Sequence, residues 1–169
     1  MGQHWLKPNW DTFLTLPELP IKHFTEKKIK LLILDADKTL VNQKETKPQK
    51  AVLEWVLKAK ETLDMHILSN NPSRNRISKI AANLKLPYTY LAAKPRSSAL
   101  KKILKYKSVK ANEIAIIGDR IFTDIILGNR MGIYTVLVKP LTISKNTYTL
   151  FSTQEIEKCI AKILGAELK

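Results

Sequence analysis

Two carboxylates one residue apart stand in the run Asp35-Ala36-Asp37-Lys38-Thr39, directly after the aliphatic stretch Leu31-Leu32-Ile33-Leu34. Acids this close repel one another unless a cation lies between them. A second acidic group, Gly118-Asp119-Arg120 with Asp124 one helical turn further on, follows another aliphatic stretch from Ile114 to Ile117. Asp35, the main-chain carbonyl of Asp37, and Asp119 make a compact set of hard oxygen ligands, and water with a phosphate oxygen would complete the octahedron that Mg2+ prefers. Between the two acidic groups lie Ser69-Asn70-Asn71, with a hydroxyl and backbone N–H groups near a helix start, and Lys94, whose ammonium can neutralise phosphate charge. A cation, a lysine, several donors and one aligned nucleophile are the parts that phosphoryl transfer needs.

These residues converge only if the elements between them bring them to one place. Short aliphatic or β-branched runs at 31–34, 65–68, 88–92, 114–117 and 133–138 read as strands. The stretches 49–61, 73–83, 97–105 and 123–131 place apolar residues at three- and four-residue spacing with lysines between, and read as helices. Alternation of the two predicts an α/β fold: a doubly wound, five-stranded parallel sheet covered on both faces. Such sheets bind ligands beyond the carboxyl ends of their strands, which is where every residue named above falls.

At 169 residues the chain reads as one domain, 1–169, with an N-terminal extension over 1–29 and a helical C-terminal segment over about 142–169. In that last segment Ile156, Ile160 and Ile163 have the spacing of a helix packed on the sheet or on a partner. The single cysteine, Cys159, excludes an intramolecular disulfide and reads as a buried or inert thiol. No apolar run reaches the ~20 residues of a membrane span and no secretion signal opens the chain, so the expectation is a cytoplasmic protein. Lysine and arginine outnumber acids 29 to 15, and a net charge of +14 attracts anions of any kind. Trp5, Trp10 and Phe13 beside basic residues suit peripheral contact with the inner face of an anionic membrane, or packing on the domain's own core.

The motifs DADKTL (35–40), LSNN (68–71), AKPR (93–96) and GDRIFTDI (118–125) resemble, in order and spacing, those of the haloacid dehalogenase (HAD) superfamily of aspartate-nucleophile phosphatases. The resemblance implies a Rossmann-like core and Mg2+ as cofactor. It implies Asp35 as nucleophile and metal ligand, Asp37 as acid and then base, and Asp119 as metal ligand. Thr39, Ser69, Asn70 and Lys94 would serve the phosphoryl group, with Gly118 and Asp124 in support. Only about 30 residues separate Thr39 from Ser69 and about 25 separate Ser69 from Lys94, too few for an inserted cap, so the site should be open to a bulky substrate. That matches the capless subfamily IIIA. The stretch GDRIFTDIILGNRMGIYTVLVKPL, with LKPNW near the start, is similar to the YqeG-type branch and to mitochondrial phosphatidylglycerophosphate phosphatases. Ala36 and Lys38 depart from the larger apolar residue and the asparagine common among relatives, and Lys38 bears on substrate charge.

The resemblance implies dephosphorylation of phosphatidylglycerophosphate to phosphatidylglycerol. A soluble phosphatase for a sugar phosphate, a nucleotide or a nucleic-acid 3′ phosphate stays open. So does a basic nucleic-acid binder on an inactive HAD fold, although the lysines are spread rather than clustered and no specific nucleic acid is expected. Arg74, Arg76, Arg96, Arg120 and Arg130 could grip a second phosphate or a glycerol headgroup, or be ordinary surface charge. His4, His23 and His66 are too scattered for a metal set.

Overall fold

The computed structural model describes residues 5–141, 153–166 and 168. In chain order the elements are β1 (Trp10–Asp11), α1 (Ile21–Glu26), β2 (Leu31–Leu34), α2 (Lys50–Ala59), β3 (Asp64–Leu68), α3 (Arg74–Leu84), β4 (Tyr88–Thr89), α4 (Ser98–Leu104), β5 (Ile114–Gly118), α5 (Ile126–Met131), β6 (Tyr134–Leu137) and α6 (Thr153–Ile163). All strand pairings are parallel, in the order β1-β6-β5-β2-β3-β4.

The central strands β2 and β5 are buried at every residue, as a strand covered on both faces must be. Their side chains alternate between two cores. Leu32 and Leu34 pack with Val52, Val56, Ile77 and Ile80 from α2 and α3. Leu31 and Ile33 pack with Leu100 and Leu127 from α4 and α5. From β2 the chain winds through β3 and β4 to one edge, then returns to β5 and β6 on the other side. The winding therefore reverses between β2 and β5, where parallel sheets open a ligand crevice. Leu34 pairs with Ile117, so Asp35 leaves β2 at the level of Gly118, the last residue of β5 before Asp119.

Among the described residues the sheet has six strands rather than the five expected. The sixth, β1, comes from the segment expected as an extension, and two residues carry no readable period. Asn9 holds it in place: its backbone N–H donates to Thr135 Oγ1 and its side-chain oxygen accepts from Thr135 N, both at 2.8 Å. The strand expected over 88–92 ends after Thr89, because Leu91 turns into the left-handed region (φ 49°). Ala92 N then donates to Ser69 O at 2.9 Å, drawing the loop over the end of β3. The helix expected from 123 opens earlier, as a π-helical turn at Ile121–Ile125 that runs into α5. Between Thr39 and Ser69 lie a loop, α2 and β3, and between Ser69 and Lys94 lie α3 and β4, leaving no room for a cap in either interval.

Of the two packing partners expected for the isoleucine face of α6, the sheet is ruled out. Ile156, Ile160 and Ile163 point to solvent, while Glu157 and Ala161 are buried. Cys159 on this helix is exposed, which removes the buried alternative of the buried or inert thiol expected. Residues 142–152 lie outside the described residues. Among the described residues no helix is long and apolar enough to cross a membrane.

Candidate active site

Beyond the carboxyl ends of β2, β3 and β5 lies a cavity of about 330 Å³ whose lining includes Asp35, Asp37, Lys38, Ser69, Asn70, Asn71, Lys94, Asp119 and Arg120. A larger hollow of about 800 Å³, lined by Trp5, Lys7, Asn9, Asn129 and Tyr134 among others, sits at the opposite end of β6 and carries no carboxylate. Size alone therefore does not locate the chemistry.

The charge centre is Lys94. Its ammonium donates to Asp35 Oδ1 at 2.5 Å and to Asp124 Oδ1 at 2.6 Å, and its side chain is almost wholly buried. The backbone of Lys94 is fixed by Asn70, whose Nδ2 donates to Lys94 O at 2.9 Å and whose Oδ1 accepts from Lys94 N at 2.6 Å. Burial opposes the ammonium's charge, but Asp124 and Asp35 outweigh it and hold Lys94 above the ordinary lysine range. Asp35, Asp119 and Asp124 each offer an oxygen within 4.8 Å of the others. Burial, then the neighbouring charges of Asp124 and Asp37, push Asp35 up to about 7 despite Lys94. Burial with Asp35 and Asp124 pushes Asp119 up to about 8. Three carboxylates against one ammonium leave a formal charge of two minus in a buried place. That surplus, held on hard oxygens, fits a divalent cation such as Mg2+.

Gly118 makes this packing possible, since a Cβ built there would overlap the Asp124 carboxyl group. Asp37 lies at the cavity's edge, with its Oδ1 accepting from Arg76 Nη2 at 2.5 Å and its Oδ2 from Asn71 Nδ2 at 3.0 Å. Ser69, buried in the wall, accepts from Asn71 N at 3.1 Å. Thr39 is fully buried and outside the cavity lining, and its hydroxyl has no partner among the described residues.

Several residues at the site were not singled out from sequence. Glu157 of α6 accepts from Ile121 N at 2.8 Å and from Arg120 Nε at 2.8 Å, and Gln154 Nε2 donates to the Asp119 carbonyl at 2.8 Å. Together they tie α6 to the loop that carries Asp119. Arg76 is drawn in and held by Asp37, whereas Arg120, paired with Glu157, and Arg130, over the Trp5 ring at 5.0 Å, stay exposed. Lys38 (φ 63°) lines the cavity and makes no ion pair among the described residues. Trp10 stacks on His23 at 4.0 Å, whereas Trp5 and Phe13 are exposed.

With this geometry the chain was compared with known proteins. The family described as mitochondrial PGP phosphatase matches residues 4–142. A probable phosphatase, YqeG, of Bacillus subtilis is 33% identical over 140 residues, covering 82% of this chain and 80% of its own. A phosphatidylglycerophosphate phosphatase of Arabidopsis thaliana is 33% identical over 69 residues, 41% of this chain and 20% of its own. Among solved structures, the cobalt-bound deoxy-D-mannose-octulosonate 8-phosphate phosphatase of Haemophilus influenzae superposes with a TM-score of 0.51 at 18% identity, over 66% of this chain and 69% of its own, a likeness of fold. Sequence and family model agree, and the chain belongs to the mitochondrial PGP phosphatase family.

Proposed function

We propose that the protein is a Mg2+-dependent phosphomonoester hydrolase that works through an aspartyl-phosphate on Asp35 and converts phosphatidylglycerophosphate to phosphatidylglycerol. The observation that carries the reaction class is the buried cluster of Asp35, Asp119 and Asp124 around Lys94 at the sheet's switch point. Asp35, Asp119 and the main-chain carbonyl of Asp37 would hold the metal, which would supply charge neutralisation on the phosphoryl oxygens.

In the first step an Asp35 carboxylate oxygen forms a bond to phosphorus as the ester P–O bond breaks, and Asp37 gives its proton to the departing oxygen. In the second, water attacks the same phosphorus, its proton passes to Asp37, and the bond to Asp35 breaks to release phosphate. Lys94, Ser69 and backbone N–H groups at the site stabilise the phosphoryl oxygens throughout.

Three features support the lipid. The family match and the Arabidopsis relative carry that substrate in their names. The intervals where a cap would be inserted are filled by core elements, so a headgroup on a surface can reach the site. Lys38, at the cavity and without an ion pair among the described residues, suits the phosphodiester that such a lipid carries beside its phosphomonoester. With a net charge of +14 and exposed Trp5 and Phe13, the protein would work peripherally on an anionic membrane from the cytoplasmic side.

The test is phosphate release from phosphatidylglycerophosphate in mixed micelles with Mg2+, beside a panel of small phosphomonoesters. Lipid-selective release that falls about a thousandfold or more in Asp35→Asn is the expected result. Release from small esters alone would remove the lipid and keep the phosphatase, and no release from any ester would favour a binding role.

A further inference from the structure

Arg76 stands in the first turn of α3, where the helix dipole disfavours a cation. It is nonetheless drawn inward, with a side chain 15% exposed. Besides its bond to Asp37, its Nη2 reaches Asn42 O at 3.3 Å and its Nη1 donates to the Glu45 carbonyl. The guanidinium thus joins Asp37 to the loop that follows it. Asn71, on the other oxygen of Asp37, is itself held: its Oδ1 accepts from Ser73 N at 2.9 Å and its backbone N–H donates to Ser69. Arg76 does not line the cavity, so it stands behind Asp37 and away from the place a phosphoryl group would occupy.

A carboxyl group at the end of a short side chain swings freely unless both oxygens are held. We infer that Arg76 and Asn71 are positioning residues that lock the Asp37 carboxyl group at the mouth of the site, where it serves the leaving oxygen first and the attacking water second. The inference rests on the phosphatase reading above. A guanidinium and an amide N–H only donate, so neither can take the proton that Asp37 moves, and that proton passes only to a group in the cavity. An acid displaced by about 1 Å can lose on the order of a hundredfold in rate. The arginine that could have gripped a second phosphate is committed to the acid instead.

The experiment follows leaving-group release from two esters, each in excess over enzyme, through the first and later turnovers with Mg2+. p-Nitrophenyl phosphate expels a stable anion and needs no acid; glycerol 3-phosphate expels an alkoxide that must be protonated. Wild type, Arg76→Met and Asn71→Ala are measured, with thermal melts establishing which variants are folded. In the folded variants, p-nitrophenol release in the first turnover should stay within about threefold of wild type and then stall as a burst, because the second step needs Asp37 as base. Glycerol release should fall by about thirty- to a hundredfold. Arg76→Lys, which keeps the charge and loses the fork, should recover little of it. Equal losses on both esters, or no loss on either, would overturn the positioning role and leave the phosphatase standing. Wild type inert towards both esters and towards phosphatidylglycerophosphate would overturn the phosphatase reading and the inference together; where the lipid alone is turned over, it too expels an alkoxide, and wild-type rates of release from it by folded Arg76→Met and Asn71→Ala would overturn the inference and leave the phosphatase standing. If Arg76→Met does not fold, the Asn71→Ala comparison decides alone.

Discussion

Two buried acids hang on the same segment of chain, Gly118 to Ile125, and they are treated in opposite ways. Glu157 receives two backbone N–H groups, from Ile121 and Phe122, and two guanidinium bonds from Arg120. Asp119 lies in the cavity wall with no donor to its carboxyl group among the described residues, and burial, with the acids beside it, raises its pKa to about 8. A buried carboxylate whose oxygens are saturated by donors joins two elements. One left short of donors beside like charges is costly to the fold, and that cost makes chemical sense only where a ligand later supplies the missing cation.

The contrast can be broken most severely at Lys94. Lys94→Met removes the ammonium bonded to both Asp35 and Asp124, and phosphate release should fall about a thousandfold. Mg2+ should bind more tightly to the more negative cluster, which calorimetry would measure. Retained turnover in that variant would mean that Lys94 is only structural.

Glu157→Ala tests the saturated acid. It leaves two N–H groups of the π-helical turn without a partner, and should cost about 2–4 kcal/mol in denaturant unfolding. Activity per folded molecule should fall far less than in Lys94→Met. A stability change within experimental error would show that α6 is held by other contacts.

Acidity sharpens the same comparison. Asp35 and Asp119 have folded-state pKa values raised to about 7 and about 8, above their value of 3.8 in an unfolded chain. Between those limits the metal-free fold binds more protons than the unfolded chain, so these groups make stability fall as pH rises towards 8. Mg2+ should reverse that loss and release protons at pH 7, seen as buffer-dependent binding heats. Identical heats in buffers of different ionisation enthalpy would contradict the raised values.

His66 gives the smallest effect. Burial, with Lys107 nearby, lowers its pKa to about 4. The unfolded chain takes up the proton first as pH drops below about 6.5, so stability should decline from there towards pH 4. His66→Gln can keep the bond to Thr89 and should flatten that slope in thermal melts. An unchanged slope would assign the decline to carboxylates.

The motifs could be read from sequence because each sits immediately after an apolar strand, and β2 and β5 are apolar at every residue. Burial there is written into residue type. The role of Arg76 was not visible, because its partner lies 39 residues away, although a cation in a helix's first turn was a signal. Glu157 carried no signal: it is 36 residues from Ile121, in a helix whose apolar stripe suggested another packing face. Strand β1 was too short to show a period.

By itself the sequence determined the strand and helix order from β2 to β6, the parallel sheet and the acids at its carboxyl edge, since apolar periodicity and local turns act over a few residues. Only the tertiary structure decided which charges meet. It set Lys94 between Asp35 and Asp124, turned Arg76 onto Asp37, and faced Ile156 and Ile160 outward while Glu157 went in. The physical reason is range: a side chain's partner is set by how remote elements stack, and no local pattern encodes that distance.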